Sequence, residues 1–298
     1  MRLIEQSVKL VSQDEKLDGV YKQIEEIART CYKSEDKIKE DSAQSFINRL
    51  IDSKHFAMLE HGTVYLKIPN EIADGEMIEA YLNNPYSRVR DVIIENKGYW
   101  YITTNFRVIV ENGWYNDLFE YQCEPEEYHH KRVSVKCTTS IGVARELCRH
   151  RVFSFAQEST RYCNYSKDKF GNEITFIIPS WVKLNPGPYE YNSNGEFEGD
   201  GYIDDIISNT PESKLLWLLS EVEDTYKDLT ENKKLQAQEA RDILPLCTKT
   251  EIVMTGFEDQ WHDFFDVRLN ESTGKVHPDM KALAKLIYDT INDSNSNK

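Results

Sequence analysis

Thirteen glycines are spread through the 298-residue chain, yet none builds the G-x-G-x-x-G turn of a Rossmann domain or a P-loop. Any dinucleotide must therefore be held without that glycine-rich cradle. The six cysteines (Cys31, Cys123, Cys137, Cys148, Cys163 and Cys247) contain no C-x-x-C pair. Neither a disulfide framework nor a structural zinc site has this scatter, so reduced thiols are expected. His129-His130 lacks a ligand set at usable spacing, which predicts a surface pair and no metal. Apolar runs such as Leu215–Leu219 are far too short to span a bilayer. The acid in Met1-Arg2-Leu3-Ile4-Glu5 interrupts the apolar core that a signal peptide needs, so a cytoplasmic location is expected. Basic residues are also in deficit, 36 Lys and Arg against 51 Asp and Glu, a net charge of −15. A general nucleic-acid binder requires a broad basic surface, so neither nucleic acid nor membrane is an expected partner.

What is present is a mixture of helical and strand periodicities. Leu17, Val20, Ile24, Ile27 and Cys31 recur at helical spacing and predict a helix over 13–32. A second helix begins near Ser42, a short one covers Glu76–Leu82, and aromatic segments surround Tyr99–Phe106. Thr63–Ile68 and Arg132–Thr138 alternate as strands, and Ile174–Pro179 is a short apolar strand. Thr139-Ser140 caps a helix running to about Cys148. Residues 185–201 are rich in Pro, Gly and Asn and predict a surface loop. Thr210-Pro211 opens a helix whose apolar stripe is Leu215, Leu218, Leu219, Val222, Tyr226 and Leu229. Further helices are expected over Gln236–Ile243 and Phe257–Arg268, and from Pro278 onward. The fold class is α/β (α+β).

In so acidic a chain, the placement of the arginines is the informative feature. Arg145, Arg149, Arg151 and Arg161 fall within seventeen residues together with His150, offset only by Glu146 and Glu158. Guanidinium forks suit phosphate and planar imide edges, and Ser154, Ser159 and Thr160 add hydroxyl donors. The plainer reading is a helix end with surface salt bridges, since charged clusters are usually solvated. Val152, Phe153 and Phe155 favour a partly buried segment, in which arginines need partners such as a bound anion.

Arg149-His150-Arg151, seven intervening residues, Ser159 and then Arg161-Tyr162 resemble the signature of the flavin-dependent thymidylate synthases (ThyX). Glu60-His61-Gly62-Thr63, Ala240-Arg241-Asp242-Ile243-Leu244-Pro245, and Trp261 to Arg268 followed by Pro278-Asp279-Met280 resemble further segments of that family. The resemblance implies a ThyX-like fold, with a central mixed sheet flanked by helices and no Rossmann domain. It implies one catalytic domain over 1–298 with insertions at about 69–130 and 183–210. The implied reaction is reductive methylation of dUMP to dTMP. Methylenetetrahydrofolate is the carbon donor and NADPH the reductant, working through FAD.

Residue by residue, the resemblance puts Thr63, Arg149, His150, Arg151 and Gln157 near FAD, with His61 beside the flavin and folate. It puts Glu146, Arg149, Glu158, Ser159, Thr160, Arg161, Arg241 and Arg268 around dUMP. Arg268 is the implied catalytic group, favouring loss of the pyrimidine N3 proton. The family's homotetramer shares its sites between subunits. Three positions depart from the family pattern: Phe257 where asparagine is frequent, Asp263, and Ala156. They bear on single flavin contacts. Ser159 lacks the Ser-His-acid arrangement of a nucleophile and is read as a hydrogen-bonding residue. Cys148 and Cys163 are read as packing residues. Two rival functions remain: an FAD/NADPH oxidoreductase of the same fold without methyl transfer, and a non-catalytic nucleotide-binding module.

Overall fold

The computed structural model describes residues 1–191, 197–199 and 210–296. In chain order, β1 (Arg2–Ile4) and β2 (Ser7–Val11) lead into α1 (Lys16–Thr30) and α2 (Ser42–Asp52). Next come β3 (Thr63–Pro69), α3 (Gly75–Asn83), β4 (Arg88–Ile94), β5 (Lys97–Asn105), α4 (Phe106–Asn112) and α5 (Tyr115–Tyr121). The middle of the chain holds β6 (Arg132–Ser140), α6 (Ile141–Leu147), β7 (Ser154–Gln157), β8 (Thr175–Ile177), β9 (Gly187–Tyr191) and β10 (Phe197–Gly199). The last part is α7 (Pro211–Lys227), α8 (Ala237–Ala240), β11 (Lys249–Phe257), α9 (Glu258–Arg268) and α10 (Pro278–Ser296). The expected mixed α/β class is what the chain adopts.

Among the described residues the strands form three sheets, in the orders β2-β6-β11-β7, β3-β5-β4 and β10-β9-β1-β8. The first positions the signature residues. Its centre is β11, antiparallel to β6 from Lys249↔Ser140 to Phe257↔Arg132 and to β7 from Ile252↔Gln157 to Thr255↔Ser154. Successive side chains of a strand leave opposite faces, so β11 feeds two cores. Val253, with Ala156, packs among Val20, Ile24 and Ile27 of α1 and Leu59. Ile252 and Met254 face Val135, Cys137, Trp261, Phe264, Leu283 and Ile287. A strand covered on both faces loses the polar–apolar alternation that marks an exposed one, which explains why β11 has no simple signature.

Residues 69–130 form most of the second sheet, and its side chains Val64, Leu66, Ile68 and Ile102 share one core with α1 and α2. Here one expectation needs correction. His129 is buried, not on the surface: its Nδ1 accepts from Glu126 N at 3.0 Å and its Nε2 lies 3.1 Å from the Leu66 carbonyl. The two bonds fix a neutral ring, and burial, the largest effect, lowers its pKa.

The expected loop over 185–201 is partly a sheet edge. Tyr189 N donates to Met1 O at 2.9 Å and the Tyr189 side chain is buried, so β9 joins β1, and β10 joins β9. Residues 192–196 and 200–209, part of the expected loop and of the insertion at 183–210, lie outside the described residues. Thr210 caps α7 as predicted, its Oγ1 accepting from Ser213 N at 3.2 Å. Leu215, Leu219, Val222, Tyr226 and Leu229 of the expected stripe pack into one core; Leu218 alone is 48% exposed, and Leu216 is buried instead.

Candidate functional site

The signature segment is a helix end, a tight turn, a short strand and a second turn. Ser140 starts α6 by accepting from Val143 N at 3.1 Å. After Leu147 the chain tightens, with Arg149 N donating to Glu146 O at 3.2 Å and Phe153 N to His150 O at 3.1 Å. This turn drives Phe153 into the core against Trp261, ring centroids 4.6 Å apart, and leaves Val152 exposed. Cys148 is exposed too, so it is not a packing residue, whereas Cys163 is buried. Arg145 in α6 and Arg149 and Arg151 on this turn stand exposed, with no carboxylate within 4.0 Å among the described residues.

His150 faces the other way, edge-on to Phe264 at 4.9 Å, and meets Arg268 at the end of α9. Arg268 Nε donates to His150 Nε2 at 2.9 Å, Nη1 to Glu146 Oε2 at 3.1 Å, and Nη2 to Glu146 O at 3.2 Å. Three of the five guanidinium donors are thus engaged, and the other two have no hydrogen-bond partner among the described residues. An acceptor at Nε2 requires an unprotonated nitrogen. Burial first, and the Arg268 charge second, push His150 down to about 4, consistent with that tautomer.

Beyond β7 the second turn gathers a different group. Ser159 N donates to Cys31 O at 2.9 Å, and Ser159 O accepts from Tyr162 N and Cys163 N at 3.2 and 3.0 Å. Arg241 Nη1 reaches Thr160 Oγ1 at 3.4 Å, and Arg161 Nη2 reaches Gln238 Oε1 at 3.5 Å. The partners of both guanidiniums are neutral, and neither has a carboxylate within 4.0 Å among the described residues. In a chain of net charge −15, two such arginines beside two hydroxyls concentrate positive charge and donors locally, a candidate anion site. Glu158 turns away from this group: Lys249 Nζ and Glu251 N meet its Oε2 at 2.8 and 3.2 Å, and Tyr165 OH meets its Oε1 at 3.3 Å. Gln157 donates to Thr250 Oγ1 at 3.2 Å.

His61 and Thr63 form a third group at the mouth of β3. His61 is fully buried with Nδ1 2.8 Å from Thr255 Oγ1, and burial first, then Arg132, push it down to about 3. Thr63 Oγ1 accepts from Arg132 Nη1 at 3.3 Å. The Phe257 ring lies under two guanidiniums, Arg88 at 4.7 Å and Arg132 at 5.5 Å. Asp263 is exposed on α9, and Ala156 is buried beneath α1. A cleft of about 720 Å³ opens here, lined by Gln13, Gln23, Thr63, Tyr65, Arg132 and Glu258 among others, and by none of the signature arginines.

The structure therefore brings together Arg268, His150 and Glu146, and separately Ser159, Thr160, Arg161 and Arg241. The two groups flank β7, whose rise of about 3.3 Å per residue separates them by on the order of 10 Å or more. Among the described residues no side-chain hydrogen bond or ion pair joins the two groups. Sequence reasoning missed Arg132 and Lys249. The lysine had a readable signal in the Lys249-Thr250-Glu251 alternation, which places both charges on one face of a strand. Among the described residues no group of three or more His, Cys, Asp or Glu could hold a metal, and no helix is long and apolar enough to cross a membrane.

This arrangement, two groups of guanidiniums on a helix–turn–strand against an antiparallel sheet, is accompanied by a match over residues 100–294 to the model of the thymidylate synthase complementing protein family. The chain belongs to that family. It is 28% identical over 162 residues to a probable flavin-dependent thymidylate synthase of Paramecium bursaria Chlorella virus 1, covering 52% of this chain and 65% of the viral protein. It is 26% identical over 182 residues to the flavin-dependent thymidylate synthase of Pyrococcus furiosus, covering 58% of this chain and 62% of that protein. The chain thus spans a little under two thirds of the length of these relatives. Likeness to solved structures is looser. A UMP/dUMP methylase, PolB, from Streptomyces cacaoi superposes with a TM-score of 0.43 at 16% identity, over 100% of this chain and 93% of that one. ThyX from Helicobacter pylori, with FAD and dUMP, gives 0.38 at 14%, over 96% and 92%.

Proposed function

We propose that this chain is a flavin-dependent thymidylate synthase, converting dUMP to dTMP with methylenetetrahydrofolate as carbon donor and NADPH as reductant through FAD. The observation that carries the reading is the pair Arg161 and Arg241, both without a carboxylate partner beside Ser159 and Thr160 in a strongly acidic protein. In this role the four residues hold the dUMP phosphate. Arg268 presents its remaining donors to the pyrimidine edge, where a permanently charged guanidinium stabilises negative charge developing on loss of the N3 proton. Glu146 and His150 fix the plane of that guanidinium through the three bonds at 2.9–3.2 Å.

The residues present also fit a flavin dinucleotide. Arg149 and Arg151 are exposed and have no carboxylate partner among the described residues, which suits a diphosphate, and no glycine-rich loop competes for that role. FAD, when bound, supplies the electron transfer that the side chains cannot perform. Because the phosphate group and Arg268 lie on either side of β7, we propose that sites form between copies of the chain in a homotetramer. Thr63, which lines the cleft at the β3 mouth, then approaches the flavin from another copy, with the wholly buried His61 behind it.

A visible absorption spectrum of the purified protein, with and without dUMP, tests the cofactor. Tritium release from 5-labelled dUMP tests the reaction. Flavin absorbance with NADPH oxidation but no tritium release would identify the oxidoreductase without methyl transfer. A colourless protein that binds dUMP would identify a binding module.

A further inference from the structure

Beneath the Ser159–Arg161 turn lies an array of charges that no motif announces. Glu251 of β11 receives three lysines: Lys33, Lys136 at 2.5 Å and Lys249 at 3.0 Å. Lys249 continues to Glu158 at 2.8 Å, and Lys136 to Glu35 at 3.4 Å. Three ammonium groups thus meet three carboxylates, so the array is neutral in itself. It neither competes with Arg161 and Arg241 for an anion nor opposes them.

Glu158 is the member that touches the turn. Its side chain is 1% exposed, a position where a carboxylate is tolerated only when paired and hydrogen-bonded. Its two oxygens tie together Lys249, the β11 backbone at Glu251 N, and the hydroxyl of Tyr165. Tyr165 lies seven residues further along the chain. One carboxylate therefore fastens both ends of the segment 158–165, and Ser159, Thr160 and Arg161 ride between the fastenings.

We propose that Glu158 and Lys249 are positioning residues that set the Ser159–Arg161 turn for a phosphate monoester, acting through the backbone and not by touching the ligand. This rests on the reading of that turn as the dUMP phosphate site. Removing the Lys249 ammonium leaves Glu158 buried, less compensated and next to the phosphate. The turn then loosens and its field opposes the anion. Contacts to the base are untouched.

The experiment compares dUMP with deoxyuridine, which lacks the phosphate, on wild type, Lys249→Met, Lys249→Arg and Glu158→Gln. Binding is followed by isothermal titration and turnover by tritium release. Lys249→Met should weaken dUMP roughly tenfold or more, as expected for losing a charge-assisted contact, and should leave deoxyuridine unchanged. KM should rise while kcat at saturation changes little, the pattern of lost uniform binding. Lys249→Arg should recover most of the dUMP affinity. If Lys249→Met does not fold, Glu158→Gln carries the test: its one amide oxygen can still accept from Lys249 and Glu251 N, but the charge-assisted tie is lost, so the loosened turn should weaken dUMP and leave deoxyuridine unchanged. A dUMP-to-deoxyuridine ratio equal to wild type in the folded variants, or equal losses for both ligands, overturns the proposal. A wild-type protein that does not prefer dUMP to deoxyuridine overturns the phosphate-site reading instead.

Discussion

Arg268 Nε and His150 Nε2 stand 2.9 Å apart, joining the last turn of α9 to the turn after α6 across 118 residues of chain. The bond works only while the imidazole is neutral, and the arginine's own charge helps to keep it so. Site and fold are thus coupled at one contact: the residue we propose to polarise a pyrimidine also selects the tautomer that holds it.

Arg268→Ala should abolish dTMP formation and leave FAD largely bound, as read by tritium release and by the flavin spectrum. The same substitution should move the His150 pKa upward from about 4, but not fully to its ordinary value of 6.5, because burial is the larger cause and remains. An NMR titration of the His150 ring checks this. An unmoved pKa would remove Arg268 from the account of the tautomer.

Ser159→Ala removes one neutral hydroxyl from the anion group. The expected loss in dUMP affinity is about 0.5–1.5 kcal/mol, without loss of turnover. Arg241→Ala removes a charged donor and should cost more, about 1.5–3 kcal/mol, with a weaker salt dependence of dUMP binding. Titration calorimetry at two salt concentrations separates the two. Total inactivity of Ser159→Ala with intact dUMP binding would reopen a nucleophilic role.

Acid should destabilise the protein in two stages. His61 and His150 have folded pKa values of about 3 and 4, below the ordinary 6.5, so only the unfolded chain takes up their protons between those limits. Stability is therefore full above pH 6.5 and falls as pH drops, by up to about 1.4 kcal/mol per pH unit per proton. Glu251 acts below its ordinary 4.5: burial alone would raise it, but Lys249 and Lys33 outweigh burial and hold it far lower. Its contribution is lost as the pH falls further. Thermal melts from pH 7.5 to 3.5 should show this decline, and His61→Asn should flatten the part between pH 6.5 and 5.

Gly256→Ala tests the packing that aims His150. A Cβ at Gly256 would press on the Phe153 ring, which is fixed against Trp261 and Phe264. Overpacking of this kind costs about 1–3 kcal/mol. Denaturant unfolding should show the loss, and the His150–Phe264 ring contact should shift in NMR.

The resemblance at residues 149–162 was legible because it depends on contiguous residue types, and the caps at Ser140 and Thr210 because they act within three residues. The periodicities of α1, α2, β3 and β6 were legible for the same reason. What escaped was non-local. Burial on both faces erased the alternation of β11, and a bond from Tyr189 to Met1 turned an apparent loop into a strand. Nothing near His129 in sequence shows that Leu66 waits to receive its proton.

By itself, then, the sequence determined the periodic and capped elements, the mixed class, and a concentration of guanidinium in an acidic chain, since these follow from local propensity and composition. Tertiary structure alone decided which charges are spent on one another and which stay free. Glu158 is consumed by Lys249 and Tyr165, whereas Arg161 and Arg241 keep only neutral partners. That division depends on strand register and burial, because a charge's partner is set by what the fold brings within a few ångströms and not by its neighbours along the chain.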